Sequence, residues 1–336
     1  MWYNMAIKNK KGINKMERRL AEIISMVKEL PEKYLEETLE KVKEIKEKAD
    51  SDEESDLKSC PRCNSKNVVR NGRKRKKQAY LCRACGKSFV ETTKSAIAHS
   101  QSSATVWKQV ISDTVEGLAI DRTASDLDLS HSTVFRMRHK ILCCIEQAML
   151  EKPIELTGVC ETDETYILES VKGRKIPDGY HRKARKHGAV ATKRGISDEY
   201  ICLCTSVTET NSSMAVAVNR ATPSKEEIRT VFEDKVNEDT LILCDGIKSY
   251  DVLEAKCKVA TSRKINKVNG FHSFIKDRNR SARGFATIYL NRYNALFSKI
   301  FADKTSSVEE IYKLVTASND SFKSISDINS LDLLII

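Results

Sequence analysis

Two pairs of closely spaced cysteines constrain the fold of this chain more than any other feature of its sequence. The pairs are CPRC at 60–63 and CRAC at 82–85, with 18 residues between them. Two CxxC turns at this separation suit a tetrahedral zinc site, which would be structural because four thiolates leave no position open for a substrate. The intervening segment predicts a β-hairpin with its turn near Asn71-Gly72. We therefore predict a zinc ribbon over residues 59–98, with the ligands Cys60, Cys63, Cys82 and Cys85.

The rest of the composition indicates a soluble protein of a reducing compartment. No apolar run approaches the roughly 18 residues that a membrane span needs, and the chain begins without the pattern of a signal peptide. The eleven cysteines are then expected to be metal ligands or reduced, mostly buried thiols. We expect a cytoplasmic location.

The net charge of +11 is concentrated in three separate tracts. Residues 60–100 hold 11 basic residues against one acidic residue, residues 171–197 hold nine against one, and residues 261–283 hold seven against one. A single basic tract is commonly a solvated surface, whereas three tracts favour a polyanion that contacts several parts of the protein. Nucleic acid is the expected partner. In the ribbon, the candidate phosphate contacts are Arg73, Lys74, Arg75, Lys76 and Lys77.

The N-terminal region has a helical pattern of its own. Residues 14–48 have apolar residues at helical spacing, interrupted at Leu30-Pro31, which predicts a helical arm over 1–50. A polar linker follows at 51–58. The arm suits either dimerisation or simple packing.

Residues 99–150 predict a helical domain that contains a helix-turn-helix. A helix over 106–118 precedes a short helix at 121–127, a turn at Asp128-Leu129 and a longer helix capped by Ser130. An ordinary helical bundle is the alternative, and the neighbouring zinc ribbon favours the DNA-binding interpretation. The residues expected to face a DNA groove or its phosphates are Ser130, His131, Ser132, Arg136 and Arg138.

Beyond Pro153 the pattern changes to alternating strands and helices. Three strands (158–169, 199–208 and 214–219) precede helix 224–236, strand 240–245, helix 247–255, a strand at 257–260 and two further helices, the second over about 284–301. Three antiparallel strands followed by parallel strands with crossover helices is the order of an RNase H-like fold. We therefore predict a multidomain α+β protein with an α/β RNase H-like catalytic domain at 154–303 and a polar tail at 304–336.

Two carboxylates of this domain are candidate metal ligands. Asp163 lies within the first strand, and Asp245 ends the apolar strand TLILC. In the predicted order these strands are neighbours, so both carboxylates could bind one or two Mg²⁺ ions that also contact phosphate oxygens. Alternatively, Asp245 ends a simple turn, Asp163 is a paired surface residue, or Glu161 or Glu164 is the ligand.

The segment KINKVNGFHSFIK at 264–276 supplies a third side of this site. Read as a helix, it has Asn269, His272 and Lys276 on one face, among basic neighbours. The amide of Asn269 could complete the metal shell. Lys276 would hold a phosphate, as His272 would if it does not simply pack the helix.

In combination and order, these motifs resemble a known family. CPRC and CRAC, the helix-turn-helix, ETDETYI, ILCDG and KVNGFHSFIK are similar to bacterial insertion-sequence transposases of the IS-fifteen-ninety-five type, over roughly residues 58–300. The resemblance implies a DDE-superfamily catalytic domain that binds Mg²⁺ or Mn²⁺, cuts DNA at terminal inverted repeats and joins the 3′-hydroxyls to target DNA. It implies that Asp163 and Asp245 are catalytic acids, that Asn269 replaces the usual third acid, and that His272 and Lys276 match the family's following residues.

The resemblance further implies a homo-oligomer on paired DNA ends and an association with the bacterial nucleoid. Two other functions stay open. A DNA-binding regulator with a decayed catalytic domain is compatible with the neutral amide at Asn269, which binds metal more weakly than a carboxylate. A nuclease that cuts without strand transfer would use the same carboxylates.

Overall fold

A computed structural model describes residues 59–74, 77–173, 191–246, 248–303 and 308–317, with the isolated positions 25, 26, 34, 41, 175, 176, 178 and 180. Most of the predicted arm, the linker at 51–58 and most of the basic loop after residue 173 lie outside these residues. The chain divides into two compact units, Met1–Glu91 and Thr92–Ile336. The predicted ribbon boundary at residue 98 is therefore corrected, because Ala96 and Ile97 are buried in the core of the second unit.

The first unit contains a three-stranded antiparallel sheet in the order β1-β2-β3, formed by Val68–Lys74, Lys77–Cys82 and Ser88–Val90. The turn predicted at Asn71-Gly72 is wrong, because β1 continues to Lys74. These two residues instead lie in a register shift between the pairs Arg70–Tyr80 and Arg73–Gln78. Gly72 has a φ of +65°, which a bulge accommodates and which glycine adopts without strain.

The second unit begins with three helices: α1 (Ala104–Val115), α2 (Ile120–Leu127) and α3 (His131–Glu151). Ser130 caps α3, as predicted, by accepting a hydrogen bond from the backbone of Thr133. The turn between α2 and α3 contains Asp128 in the left-handed conformation at a φ of 53°. The predicted short helix, tight turn and long helix are therefore observed.

A five-stranded sheet follows, in the order β6-β5-β4-β7-β8. Strands β4, β5 and β6 are antiparallel, whereas β7 and β8 run parallel to β4. This order and these directions confirm the predicted pattern of three antiparallel strands and then two parallel ones. The strands are Leu156–Leu168, Tyr200–Thr208, Ser213–Arg220, Val236–Cys244 and Lys258–Thr261.

Within the described residues, four α-helices and two 3-10 helices connect and follow these strands. In chain order they are α4 (Lys225–Phe232), a 3-10 helix (Lys248–Leu253), α5 (Asn266–Ser281), a 3-10 helix (Thr287–Tyr289), α6 (Leu290–Ala302) and α7 (Val308–Ala317). The helix predicted at 247–255 is thus a shorter 3-10 helix. The polar tail predicted at 304–336 is also corrected, because Ile311 and Val315 bury α7 against α1 and α3.

The interior strand β5 contributes to two hydrophobic cores, one on each face of the sheet. Ile201 and Leu203 face a core shared with α1, α3, α5, α6 and α7, whereas Cys202 and Cys204 face a core shared with α4. This alternation follows from the two-residue period of a strand, and burial on both faces explains the continuous apolar run of β5. No helix in the described ranges is long and apolar enough to cross a membrane.

A buried basic cluster joins α3 to α6. Arg138 and Arg292 are each 1% exposed; Arg138 donates to the backbone oxygen of Leu118 at 2.8 Å, and Arg292 pairs with Glu146. The ring of His139 packs against the ring of Tyr289, at a centroid distance of 4.1 Å. Burial, with a smaller contribution from the charges of Arg292 and Arg138, lowers the pKa of His139 to about 3.

We predict a pH dependence of stability that originates at His139. Because the folded pKa of about 3 lies below the unfolded value near 6.5, the unfolded state binds the extra proton, and stability rises with pH across that window. Between pH 4 and 6 the contribution should approach about 1.4 kcal/mol per pH unit. Denaturant unfolding of His139→Phe should show this slope removed. His131→Gln, at an exposed histidine of the same helix, should keep it; an unchanged slope in His139→Phe would contradict the assignment.

Candidate functional site

The four predicted zinc ligands converge in the first unit. The Sγ atoms of Cys60 and Cys85 are 3.8 Å apart, those of Cys63 and Cys82 are 3.5 Å apart, and all four lie within 4.8 Å of one another. A tetrahedral zinc with bonds of about 2.3 Å holds its sulfurs about 3.8 Å apart, so the cluster could hold zinc. A hydrogen bond from the backbone of Cys85 is the main cause that lowers the pKa of Cys82 to about 6, which favours the thiolate.

The two predicted catalytic acids lie on neighbouring strands of the second unit, Asp163 within β4 and Asp245 directly after the end of β7. Glu161 of β4 pairs with Leu243 of β7 in parallel register, so Asp245, two residues further, lies alongside Asp163. Burial, the largest cause, and the charge of Asp245 raise the pKa of Asp163 to about 6, although a hydrogen bond from the Glu164 backbone and the charge of Lys276 act in the opposite direction. A cation nearby would stabilise the ionised form of two adjacent carboxylates, one of them half-buried. These oxygen donors fit Mg²⁺ or Mn²⁺.

Helix α5 is attached to β4 through its N-terminus. Its N-cap residue, Ile265, offers no side-chain acceptor. Instead, the Glu161 carboxylate accepts hydrogen bonds from the backbone N–H groups of Lys267 at 2.6 Å and Val268 at 3.1 Å. The negative charge also complements the positive end of the helix dipole. This contact fixes the start of α5 two residues along the strand from Asp163.

Three residues of α5 were predicted to face the metal, and they differ in how far they are buried. His272 is 7% exposed; its Nε2 lies 2.6 Å from the Thr205 hydroxyl, and its Nδ1 lies 3.8 Å from the Asp163 carboxylate. Lys276 is exposed, and its charge acts on both Asp163 and His272. Asn269 is exposed one turn before His272. The prediction that these residues share the side of the helix towards Asp163 is therefore supported for His272 and Lys276.

The C-terminal half of α5 contacts the turn after α1. Arg278 donates from Nη1 to the backbone oxygen of Val115 at 2.9 Å, and Ser281 donates to the backbone oxygen of Gly117 at 3.0 Å. Arg138 of α3 donates to the next residue of this turn, Leu118, at 2.8 Å. Side chains of α3 and α5 thus satisfy the carbonyl groups that the end of α1 leaves open.

The residues predicted to contact DNA differ in accessibility. Ser130, His131, Ser132 and Arg136 line the accessible start of α3, whereas Arg138 is buried beneath them. The prediction for Arg138 is therefore corrected: its guanidinium holds the Leu118 carbonyl. In the ribbon Arg73 and Lys74 are exposed at the end of β1, and the side chains of Arg75, Lys76 and Lys77 lie outside the described part of the chain.

Sequence reasoning missed three contributors to this site. Glu161 was considered only as an alternative metal ligand, yet it caps α5. Thr205 gave no signal, because it contacts His272 from 67 positions away. Glu164, considered only as another alternative ligand, is 7% exposed; burial raises its pKa to about 7, which the nearby hydroxyl of Tyr250 opposes. The acidic motif ETDE indicated that both glutamates lie near the site. It did not show that Glu161 caps α5 or that Glu164 is buried beside Tyr250.

Comparisons with known proteins give one sequence relative. No family model matches the chain. Over 200 residues it is 26% identical to a protein of Halobacterium salinarum that is named as an uncharacterized protein in transposable element ISH50. The match covers 58% of this chain and 64% of that protein, so this chain spans less than two thirds of the relative's length.

Comparisons with solved structures give matches to transposase complexes at low similarity. The pre-cleavage Mos1 transpososome is 12% identical with a TM-score of 0.26, covering 67% of this chain and 77% of the other. The Mos1 strand transfer complex is 15% identical with a TM-score of 0.28, covering 65% and 78%. At these TM-scores the structures do not establish a shared fold.

We predict that the protein contains one structural zinc per chain. Replacing one ligand, in Cys82→Ser, should reduce the zinc content of the purified protein to a minor fraction, because a structural site needs all four thiolates. Mass spectrometry of the metal content measures this directly. Cys257→Ser, at a buried cysteine of the other unit, is the matched control and should retain zinc; equal zinc contents in both variants would exclude the ribbon site.

The cap on α5 gives a second prediction. Glu161→Ala should lower the free energy of unfolding by about 1–2 kcal/mol, as losses of helix caps do. Glu161→Gln keeps an acceptor oxygen without the charge and should cost about half as much. Denaturant titration measures both, with Glu238→Ala, at an exposed position of β7, as the control. A cost for Glu161→Ala no larger than that of the control would show that the cap does not stabilise α5.

Proposed function

We propose that this chain is a DNA transposase of the insertion-sequence type, resembling the IS-fifteen-ninety-five transposases. The observation that carries the proposal is that Asp163, within β4, lies beside Asp245, directly after the end of β7, next to a basic helix anchored by Glu161. The relative from a transposable element supports the same class of function. The strand order supports an RNase H-like catalytic domain.

In this proposal Asp163, Asp245 and Asn269 hold Mg²⁺ or Mn²⁺, as a pair of ions, on the exposed side of β4 and β7. Bound metal would activate the attacking oxygen and stabilise the leaving oxygen during displacement at phosphorus. Lys276, exposed on α5, holds the scissile phosphate by its charge, and His272 orients the Asp163 carboxylate. Water would attack phosphorus at the end of the element and break the bond to the 3′-oxygen, leaving a 5′-phosphate and a free 3′-hydroxyl. That hydroxyl would then attack phosphorus in target DNA and displace the 3′-oxygen of the target strand.

DNA recognition is assigned to the accessible polar residues outside this centre. Ser130, His131, Ser132 and Arg136 at the start of α3 would contact the terminal inverted repeat, and Arg73 and Lys74 of the ribbon would contact phosphates. Zinc bound by the four cysteines would hold the ribbon folded. Paired ends call for two protomers or more, so a homo-oligomer on DNA, in the bacterial cytoplasm at the nucleoid, completes the proposal.

We predict that Asp163→Ala and Asp245→Ala abolish DNA cleavage without weakening DNA binding. The substrate is an end fragment made from the DNA that flanks the gene, assayed with Mg²⁺ and with Mn²⁺. Cleavage should fall by more than about 100-fold, because even outer-shell partners of a metal ligand are worth 10–100-fold. Gel shifts should match those of the wild type. Asp239→Ala, at an exposed position of β7, is the control and should cleave normally.

The same assay separates the two other functions. A wild-type protein that binds the end fragment but neither nicks nor joins any DNA with either metal would be a regulator, to which the neutral Asn269 points. Cleaved products without joined products in the presence of target DNA would indicate a nuclease. Full cleavage by either aspartate variant would exclude the catalytic assignment.

A further inference from the structure

His272 occupies the most buried position of the proposed active-site helix face. The imidazole is 7% exposed and lies over β5, where Thr205 is fully buried. Its Nε2 is 2.6 Å from the Thr205 Oγ1, and the same Oγ1 lies 2.7 Å from the backbone oxygen of Asp163. A short chain of polar atoms therefore runs from the ring to the backbone of the first catalytic aspartate.

The hydrogen bonds in this series of contacts determine the tautomer of the His272 ring. A threonine hydroxyl has one hydrogen, and a backbone oxygen can only accept. The Thr205 hydroxyl donates its hydrogen to the backbone oxygen of Asp163, so in its contact with His272 the hydroxyl must accept. The Nε2 atom of His272 is then the donor and carries the ring proton. The form of imidazole that binds a metal carries a single ring proton, and here that proton is on Nε2. Its Nδ1 then has a free lone pair.

That lone pair faces a carboxylate. The distance from Nδ1 to the Asp163 Oδ2 is 3.8 Å, which is too long for a hydrogen bond. Two electron-rich atoms that face each other in a half-buried site repel one another unless a cation lies between them. The separation is less than twice the roughly 2.1 Å of a metal–ligand bond, so one ion can contact both atoms.

We infer that His272 is itself a metal ligand, binding through Nδ1 the same ion as Asp163, with Thr205 as its positioning residue. A histidine that ligates a metal normally donates its other N–H to an oxygen that fixes the ring, which is the contact Thr205 makes. This role rests on the metal site of the proposed function and replaces the orienting role given to His272 there. It also predicts metal preference: an imidazole ligand disfavours Mg²⁺ relative to Mn²⁺.

The test is pulsed electron paramagnetic resonance of Mn²⁺ bound to the zinc-loaded, full-length protein. A ligating histidine couples its ¹⁴N nucleus to Mn²⁺, and this coupling should appear in the wild type. It should disappear in His272→Gln and persist in His131→Gln, an exposed histidine of α3. Thr205→Val, which keeps the side-chain shape without the hydroxyl, should weaken Mn²⁺ binding about tenfold, as losses of outer-shell partners do. Thr205→Ser should restore it.

The outcomes separate this inference from the proposed function. Mn²⁺ that binds the wild type without ¹⁴N coupling overturns the role of His272 and leaves the aspartate site standing. A coupling that persists in His272→Gln does the same. A wild type that binds neither Mn²⁺ nor Mg²⁺ in calorimetry overturns both proposals. In calorimetry, His272→Gln should lose more affinity for Mn²⁺ than for Mg²⁺; an equal loss for both would contradict an imidazole ligand.

Discussion

The hydrogen bonds from the start of α5 to Glu161 are the contact on which the candidate site depends. Without a polar cap of its own, the helix would leave N–H groups unpaired in a half-buried position, which is costly. The carboxylate of β4 satisfies two of them at 2.6 and 3.1 Å. Since Glu161 and Asp163 belong to the same strand, this contact fixes the helix relative to the first candidate acid.

The charges around this anchor are arranged by depth. Asp163 is half-buried, and burial raises its pKa, whereas Asp245 beside it is exposed. Lys276 is exposed on the helix and partly offsets the carboxylates, while neutral His272 lies beneath. An anionic cleft with a cationic rim is disfavoured for an empty site but suits a metal ion that carries a phosphate.

The sequence was sufficient for features that rest on periodicity and spacing. The spacing of the two CxxC pairs predicted the four-cysteine cluster, and the alternation of strands and helices predicted the order and directions of the five-stranded sheet. Parallel pairing of β4 with β7 then brought Asp163 and Asp245 together, as expected. Each of these follows from local pattern plus the few topologies that right-handed crossovers allow.

Features that rest on long-range contacts were not predictable. Arg138 has the spacing of an exposed residue of α3, yet the Leu118 carbonyl and the packing of α6 bury it. The helix at Val308–Ala317 looked like part of a polar tail because its burial depends on only a few apolar side chains, among them Ile311 and Val315. Thr205 carries no motif, and its importance arises only where β5 passes under α5.

The turn after α1 has a wider consequence. Its carbonyl groups at Val115, Gly117 and Leu118 accept hydrogen bonds from both α5 and α3, so the helix of the proposed metal site and the helix proposed to read DNA are held together at this turn. In a protein that recognises a repeat with one helix and cuts DNA beside the other, such a turn fixes the distance between the two helices. That distance would then set the number of base pairs between the bases recognised and the bond broken.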